Sequence, residues 1–263
     1  MIYLDNAATS FPKPECVYDA VDLYNRQNGR AVGRGTSDAG QQLQQIVNRC
    51  RFRAAQVLGA SANEEIVFTL NCTDSLNMII HGLLKPGDHV VTSVAEHNSV
   101  LRPLRHLEAN RDVTLTLVNV DDAGFFDAAD VEKAIRPETK LLMLQHASNV
   151  TGAIQPIEDV AALADKHSVS FAVDAAQTAG HIPLDVDQPG VDFVACSGHK
   201  GLMGPLGTGL LYVSPGKEKE LLPTRQGGTG SKSESDTQPE SMPDRFESGN
   251  HNSPGIVGLD AAL

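Results

Sequence analysis

The stretch ACSGHKGLMGPLGTGLLYV, Ala195–Val213, decides how the chain is read. A short apolar strand ends in Ser-Gly-His-Lys, a glycine-rich turn comes next, and a second strand closes the unit. A solvated surface lysine needs no such surroundings. Lys200 sits where a parallel sheet presents functional groups, beside a backbone whose glycines allow a ligand to approach closely. A lysine amine so placed can form a Schiff base with an aldehyde cofactor.

Similar apolar, β-branched-rich runs recur on both sides: Glu65–Thr69, His89–Val94, Leu115–Val120, Lys140–Ala147, Val169–Asp174, Asp192–Ser197 and Gly209–Val213. Each reads as a strand. Helical spacing links many of them, as in Leu43, Ile46, Val47, Cys50, Ala54, Val57 and Leu58, and again in Val160, Ala161, Leu163 and Ala164. Near-continuous apolar strands joined by helices predict an α/β fold of three layers. Its mostly parallel central sheet is covered on both faces. Gln226–Asp244 is polar, aperiodic and rich in Gly, Ser and Pro, and reads as a long mobile loop. Beyond it, Ser253 and Pro254 read as the N-cap and first residue of an apolar helix.

Four further strand ends carry chemistry. Asp174 closes a buried strand, either as an N-cap for the next helix or as the acid that keeps a pyridine nitrogen protonated, with Gln177 near the same ring's phenolic oxygen. Cys72 and Thr73 open a helix, which is either an ordinary capped start or an anion site, to which Ser197 and His199 add contacts. His97 is either structural or a flat ring stacked on a planar cofactor. Asn149 is either a turn residue before Gly152 or a hydrogen-bond partner for a ring oxygen. Together these are the parts of a pyridoxal phosphate site.

The composition sets outer limits. Among 263 residues, 33 are acidic and 21 basic, giving a net charge of -12. That balance argues against nucleic acid or an anionic membrane as partner. Neither a targeting leader nor an apolar run long enough to span a bilayer is read. The four cysteines, Cys16, Cys50, Cys72 and Cys196, lack metal-ligand spacing and read as free thiols of a reducing cytoplasm.

Six ordered blocks, YLDNAAT, EHNS, SNVTGAIQPI, VDAAQ, SGHKGLMGPLGTG and FESGNHNSPGIVGL, resemble the class V aminotransferase family, and within it the cysteine desulfurases and selenocysteine lyases. The resemblance implies the large domain of a pyridoxal 5'-phosphate-dependent transferase. Residues 1–14 would form an N-terminal segment, 15–253 the cofactor-binding domain, and 254–263 the start of a helix leading to a small domain largely missing from a C-terminally truncated sequence.

The resemblance also implies roles. Lys200 would hold the cofactor as a Schiff base and shuttle protons. Asp174 would pair with the ring nitrogen, Gln177 and Asn149 would hold the ring oxygen, and His97 would stack on the ring. Cys72, Thr73, Ser197 and His199 would bind phosphate. Asn250, where the family more often has threonine, would reach the phosphate of a partner in a homodimer. L-cysteine, or a related amino acid, would become alanine while its sulfur passes through an enzyme persulfide to an acceptor protein. The family's nucleophilic cysteine and its carboxylate-binding arginine lie beyond the FESG block. Gly33, followed by Arg34, stands where the family's N-terminal motif has histidine. The expectation is a chain that binds the cofactor better than it turns over cysteine. Another class V enzyme, a selenocysteine lyase or a non-catalytic cofactor-binding remnant are the alternatives.

Overall fold

A computed structural model describes residues 2–32, 38–187, 190–231 and 234–263. Gly33 and Arg34 lie outside the described residues. The described residues form seven strands and seven α-helices: α1 (Glu15–Gln27), α2 (Asp38–Leu58), β1 (Ile66–Thr69), α3 (Cys72–Leu83), β2 (His89–Ser93), α4 (Asn98–Asn110), β3 (Thr114–Val118), α5 (Ala128–Ala134), β4 (Thr139–Gln145), α6 (Ile157–His167), β5 (Ser170–Asp174), β6 (Phe193–Ser197), β7 (Gly209–Val213) and α7 (Ser253–Ala262). All seven expected strands form, with ends shifted by a residue or two.

The strands make one sheet in the order β1-β7-β6-β5-β4-β2-β3. The β2–β3, β2–β4, β4–β5 and β5–β6 pairs are parallel, whereas β7 runs antiparallel to both β1 and β6. The glycine-rich turn after Lys200 explains that reversal. It is too short for a helical crossover, so β7 returns beside β6 as a hairpin.

The apolar runs are continuous because each strand feeds two cores. On β4, Leu142 and Leu144 face the core beneath α2, α6 and α7, while Leu141 and Met143 face the core beneath α3 and α4. The pleat sends successive side chains to opposite faces, so a strand covered on both sides must be apolar throughout. The edge strand β3 is the exception: its first residue, Thr114, is exposed and only Val118 is buried.

The N-cap of α7 is Asn252, not Ser253. The Asn252 side chain accepts from the Gly255 N–H at 3.2 Å, and its amide donates to the Gly207 carbonyl at 2.8 Å. The side-chain carbonyl of Asn reaches the orphan N–H group of the first turn. The described part of Gln226–Asp244 has neither helix nor strand. Its Gln238 amide is nonetheless anchored to the Arg245 carbonyl at 3.1 Å and the Ser248 hydroxyl at 3.0 Å. No helix among the described residues is long and apolar enough to cross a membrane.

Candidate active site

A cleft of about 240 Å³ opens at the carboxyl ends of β4, β5 and β6 and the N-terminus of α3. Cys72, Thr73, His97, Asn149, Asp174, Gln177, Ser197, His199 and Lys200 all line it. Asn250 does not; it borders two other clefts, formed with the segment around Glu247 and His251. Parallel strands pointing the same way deliver their last residues to one edge, and the loops after them stand above it.

Asp174 ends β5, level with Gln145 at the end of β4. It is 5 % exposed. Its Oδ1 accepts from the Ala176 N–H at 2.9 Å and from the Cys72 thiol at 3.4 Å. Its Oδ2 takes no hydrogen bond among the described residues. Burial pushes the Asp174 carboxyl above the usual carboxylate range, against the Ala176 N–H, the Cys72 thiol and the nearby Lys200 and His97. The same burial, reinforced by the Asp174 charge, pushes the Cys72 thiol well above its ordinary value. Cys72 is therefore a protonated donor to Asp174, not a thiolate.

α3 begins at Cys72 because Asn71 caps it, its side chain accepting from the Asp74 N–H at 2.9 Å. Gly209 lets β7 pass against this cap. A Cβ there would meet Asn71 backbone atoms at 2.6 Å. The free N–H groups of the first turn and the Thr73 hydroxyl then face the cleft, a favourable arrangement for an anion.

His97 caps α4. Its Nδ1 accepts from the Ser99 N–H at 3.1 Å, which leaves the proton of the neutral ring on Nε2. The Ser99 hydroxyl lies 2.9 Å from the same nitrogen and 2.7 Å from the Thr73 hydroxyl, so the ring and the α3 start are tied together. Capping and position at the cleft coincide at His97, and Asn71 caps the helix that Cys72 and Thr73 open. No helix follows Asp174, whose Oδ1 closes a turn at the Ala176 N–H, so the N-cap reading of that residue does not hold.

Lys200 stands in the turn after β6. Its amine forms no hydrogen bond or ion pair among the described residues. The preceding residue is held tightly: the His199 carbonyl accepts from the Ser10 N–H at 3.1 Å and from Lys13 Nζ at 2.6 Å, and the His199 ring meets the Thr9 hydroxyl at 3.0 Å. Gln177 adds a bond from its amide to the Ala7 carbonyl at 3.0 Å. The N-terminal segment is thus a strap across the lysine turn. Burial, with the positive charges of Lys200 and Lys13, lowers the His199 pKa. Gly201 admits the close packing on the other side, where a Cβ would strike the Ala179 carbonyl and the His181 ring.

Sequence reasoning misses several residues at this site. Gln145 also lines the cleft, and Ser99 joins His97 to Thr73. A polar residue ending an otherwise apolar strand is the available signal for Gln145. Nothing local points to Thr9 or Lys13, whose partner His199 lies 190 and 186 positions away.

Of the remaining cysteines, Cys196 precedes Ser197 and is close enough to feel the Asp174 charge, but none of them lines the cleft. Cys196 and Cys50 are core residues, with the thiol of Cys50 pushed up to about 12 by burial, and Cys16 is exposed on α1.

Comparison with known proteins places the chain in a family. Over its whole length the chain is 38% identical to a probable cysteine desulfurase of Pyrococcus abyssi, of which it covers 66%. It is 35% identical to the cysteine desulfurase IscS of Dictyoglomus turgidum and covers 63% of that protein. Among solved structures, the apo cysteine desulfurase of Thermococcus onnurineus superposes with a TM-score of 0.91 at 37% identity, over 99% of this chain and 66% of that one. The chain thus spans about two thirds of the length of these relatives. Residues 2–263 match the family described as Aminotransferase class-V. Matched from its second residue to its last, with the same sheet, the chain belongs to the class V aminotransferases.

Proposed function

We propose that the chain holds pyridoxal 5'-phosphate and serves a cysteine desulfurase, acting on L-cysteine. The observation that carries this reading is one cleft shared by an unpartnered lysine amine and a buried carboxylate with one free oxygen. A carboxylate oxygen that opens into the cleft from an otherwise buried residue suits a cationic N–H partner, and a protonated pyridine nitrogen would supply one. The donor set fits the rest of the cofactor: a flat imidazole, the amides of Gln177 and Asn149, and a helix start with Thr73, Ser197 and His199. When bound, the cofactor supplies a ring that draws electrons from the substrate's α-carbon.

The residues divide the work. Asp174 holds the proton of the ring nitrogen, and its burial keeps that pairing dry. His97 would stack on the ring, and Gln177 and Asn149 would orient it through the ring oxygen. Thr73, Ser197, His199 and the amide of Cys72 hold the phosphate, and Asn250 serves the phosphate of a second copy in a homodimer. Lys200 Nζ would hold the cofactor and, once released from it, would be the base placed to move the α-proton.

Sulfur transfer needs a thiolate that attacks the substrate sulfur, giving a persulfide while the carbon side leaves as alanine. Cys72 does not suit this role, because its thiol is protonated and engaged with Asp174. Cys50 and Cys196 are buried in the core, and Cys16 lies on α1, outside the cleft. The chain alone therefore binds the cofactor and releases little alanine. The desulfurase names of the relatives support the substrate, and so does the similar structure described as SspA in complex with cysteine, which matches with a TM-score of 0.86 at 32% identity.

The test is alanine and sulfide release from L-cysteine by the 263-residue chain with added cofactor. A folded, coloured protein without turnover is expected. Rapid turnover, with a persulfide on Cys16, Cys50, Cys72 or Cys196, would show that the sulfur nucleophile lies within this chain.

A further inference from the structure

Glu96 precedes His97, is 6 % exposed and takes no part in holding the cofactor. Its Oε1 accepts from the Ser93 hydroxyl at 2.7 Å. The same hydroxyl accepts from the Ala95 N–H at 3.2 Å. The Ala95 carbonyl in turn accepts from the Gln145 side-chain amide at 2.9 Å. The carboxyl of Glu96 is thereby the base of a knot that joins the end of β2, the turn into α4 and the end of β4. The knot is built from the residues that lead directly into His97.

Its charge state is set by its surroundings. Oε2 is buried and has no partner. No Lys or Arg forms an ion pair with it among the described residues. An ionised carboxylate with a bare oxygen in a dry site is strongly disfavoured, and the neighbouring Asp174 adds like charge. Burial accordingly pushes the Glu96 carboxyl up to about 8, against the Ser93 hydroxyl and the Gln145 N–H that favour its charged form.

We propose that Glu96 is a positioning residue that works as a neutral acid, fixing the β2–α4 turn so that the His97 ring stands at the height the cofactor ring requires. The inference rests on the cofactor reading of the cleft. It inverts the usual ranking of substitutions. Glutamine copies a neutral acid in shape and hydrogen bonding, whereas aspartate keeps the charge type and loses the reach.

The experiment is a double-mutant cycle on cofactor affinity, with the apo Tm and the visible spectrum recorded for every variant of the full chain. Glu96→Ala and Ser93→Ala should each weaken affinity about tenfold, the scale of one buried hydrogen bond. Glu96→Gln should stay within about twofold of wild type, and Glu96→Asp should fall with alanine. On a His97→Ala background, Glu96→Ala should add little further loss, because it acts through that ring. Should Glu96→Ala fail to fold, Ser93→Ala and Glu96→Asp still run the cycle. Additive losses with His97→Ala, or a glutamine variant as weak as alanine, would overturn the proposal. A wild-type chain that takes up no cofactor would instead overturn the cofactor reading, and this inference with it.

Discussion

The thiol of Cys72 donates a hydrogen bond to Asp174 Oδ1 at 3.4 Å, which makes the cysteine nearest the chemistry a buttress and not a nucleophile. Alkylation of the folded chain at neutral pH should therefore label the exposed Cys16 and spare Cys72, as peptide mass mapping would show. Cys72→Ser should retain cofactor affinity, because a hydroxyl donates equally well. Cys72→Ala should weaken it by about fivefold, on the order of 1 kcal/mol for the lost bond.

Asp174 sets stability against binding. Its folded carboxyl titrates above its unfolded value. The ionised form is thus disfavoured in the apo fold, and stability is lost as pH rises through the folded pKa. Asp174→Asn should raise the apo Tm at neutral pH, by roughly 2–4 °C per kcal/mol recovered in a chain of this size. The same variant should weaken cofactor binding by about a hundredfold, since a charge-assisted bond is worth about 1.5–3 kcal/mol.

Glu96 gives a pH dependence of the same sign. Its carboxyl moves from its ordinary 4.5 up to about 8 in the fold. The stability it contributes is complete below the unfolded value and is lost progressively as pH rises towards 8. His89 works in the opposite sense. Both its ring nitrogens are engaged, by the Thr139 and Thr116 hydroxyls at 2.8 Å, and burial lowers its pKa to about 4, so its contribution is lost as pH falls below its unfolded value. The difference in Tm between Glu96→Gln and wild type isolates the first effect. That difference should grow as pH rises from about 5 to about 8 in thermal melts of the apo chain.

Arg51 and Glu247 form a buried bidentate pair, with N–O distances of 2.7 and 2.8 Å. Glu247 also accepts from the Phe68 N–H at 2.6 Å, which fastens the segment before α7 to β1. Arg51→Ala removes the guanidinium from that buried carboxylate, leaving it only the Phe68 N–H and the His251 ring, and should cost about 3 kcal/mol in denaturant unfolding. Arg26→Ala, which breaks a solvent-exposed pair with Asp22, should leave the unfolding midpoint essentially unchanged.

Locality decides which of these features a sequence reveals. The strands are legible because burial on two faces demands unbroken apolar runs, and Asp174 and Lys200 stand out as polar endings of such runs. The antiparallel return of β7 is carried by the short turn between Ser197 and Gly209, which leaves no room for a helical crossover, and not by the apolar composition of the strand, which says nothing of direction. The cap of α7 falls one residue earlier than expected, because Ser253 and Asn252 are both good caps and the choice rests on the Gly207 carbonyl across the loop. Glu96 gives no signal, because a charged residue beside a histidine reads as solvent-facing until the sheet closes over it. The strap of Thr9, Ser10 and Lys13 on His199 joins distant parts of the chain, and no window of sequence contains both partners.

The most direct test of the cofactor site is to add pyridoxal 5'-phosphate to the purified chain, reduce with borohydride, and map the adduct by mass spectrometry. A visible absorbance band, an adduct on Lys200 alone, and loss of both in Lys200→Ala are predicted. A Lys200→Ala variant that keeps the band, or an adduct spread over surface lysines with Lys200 unlabelled, would contradict the assignment of this cleft.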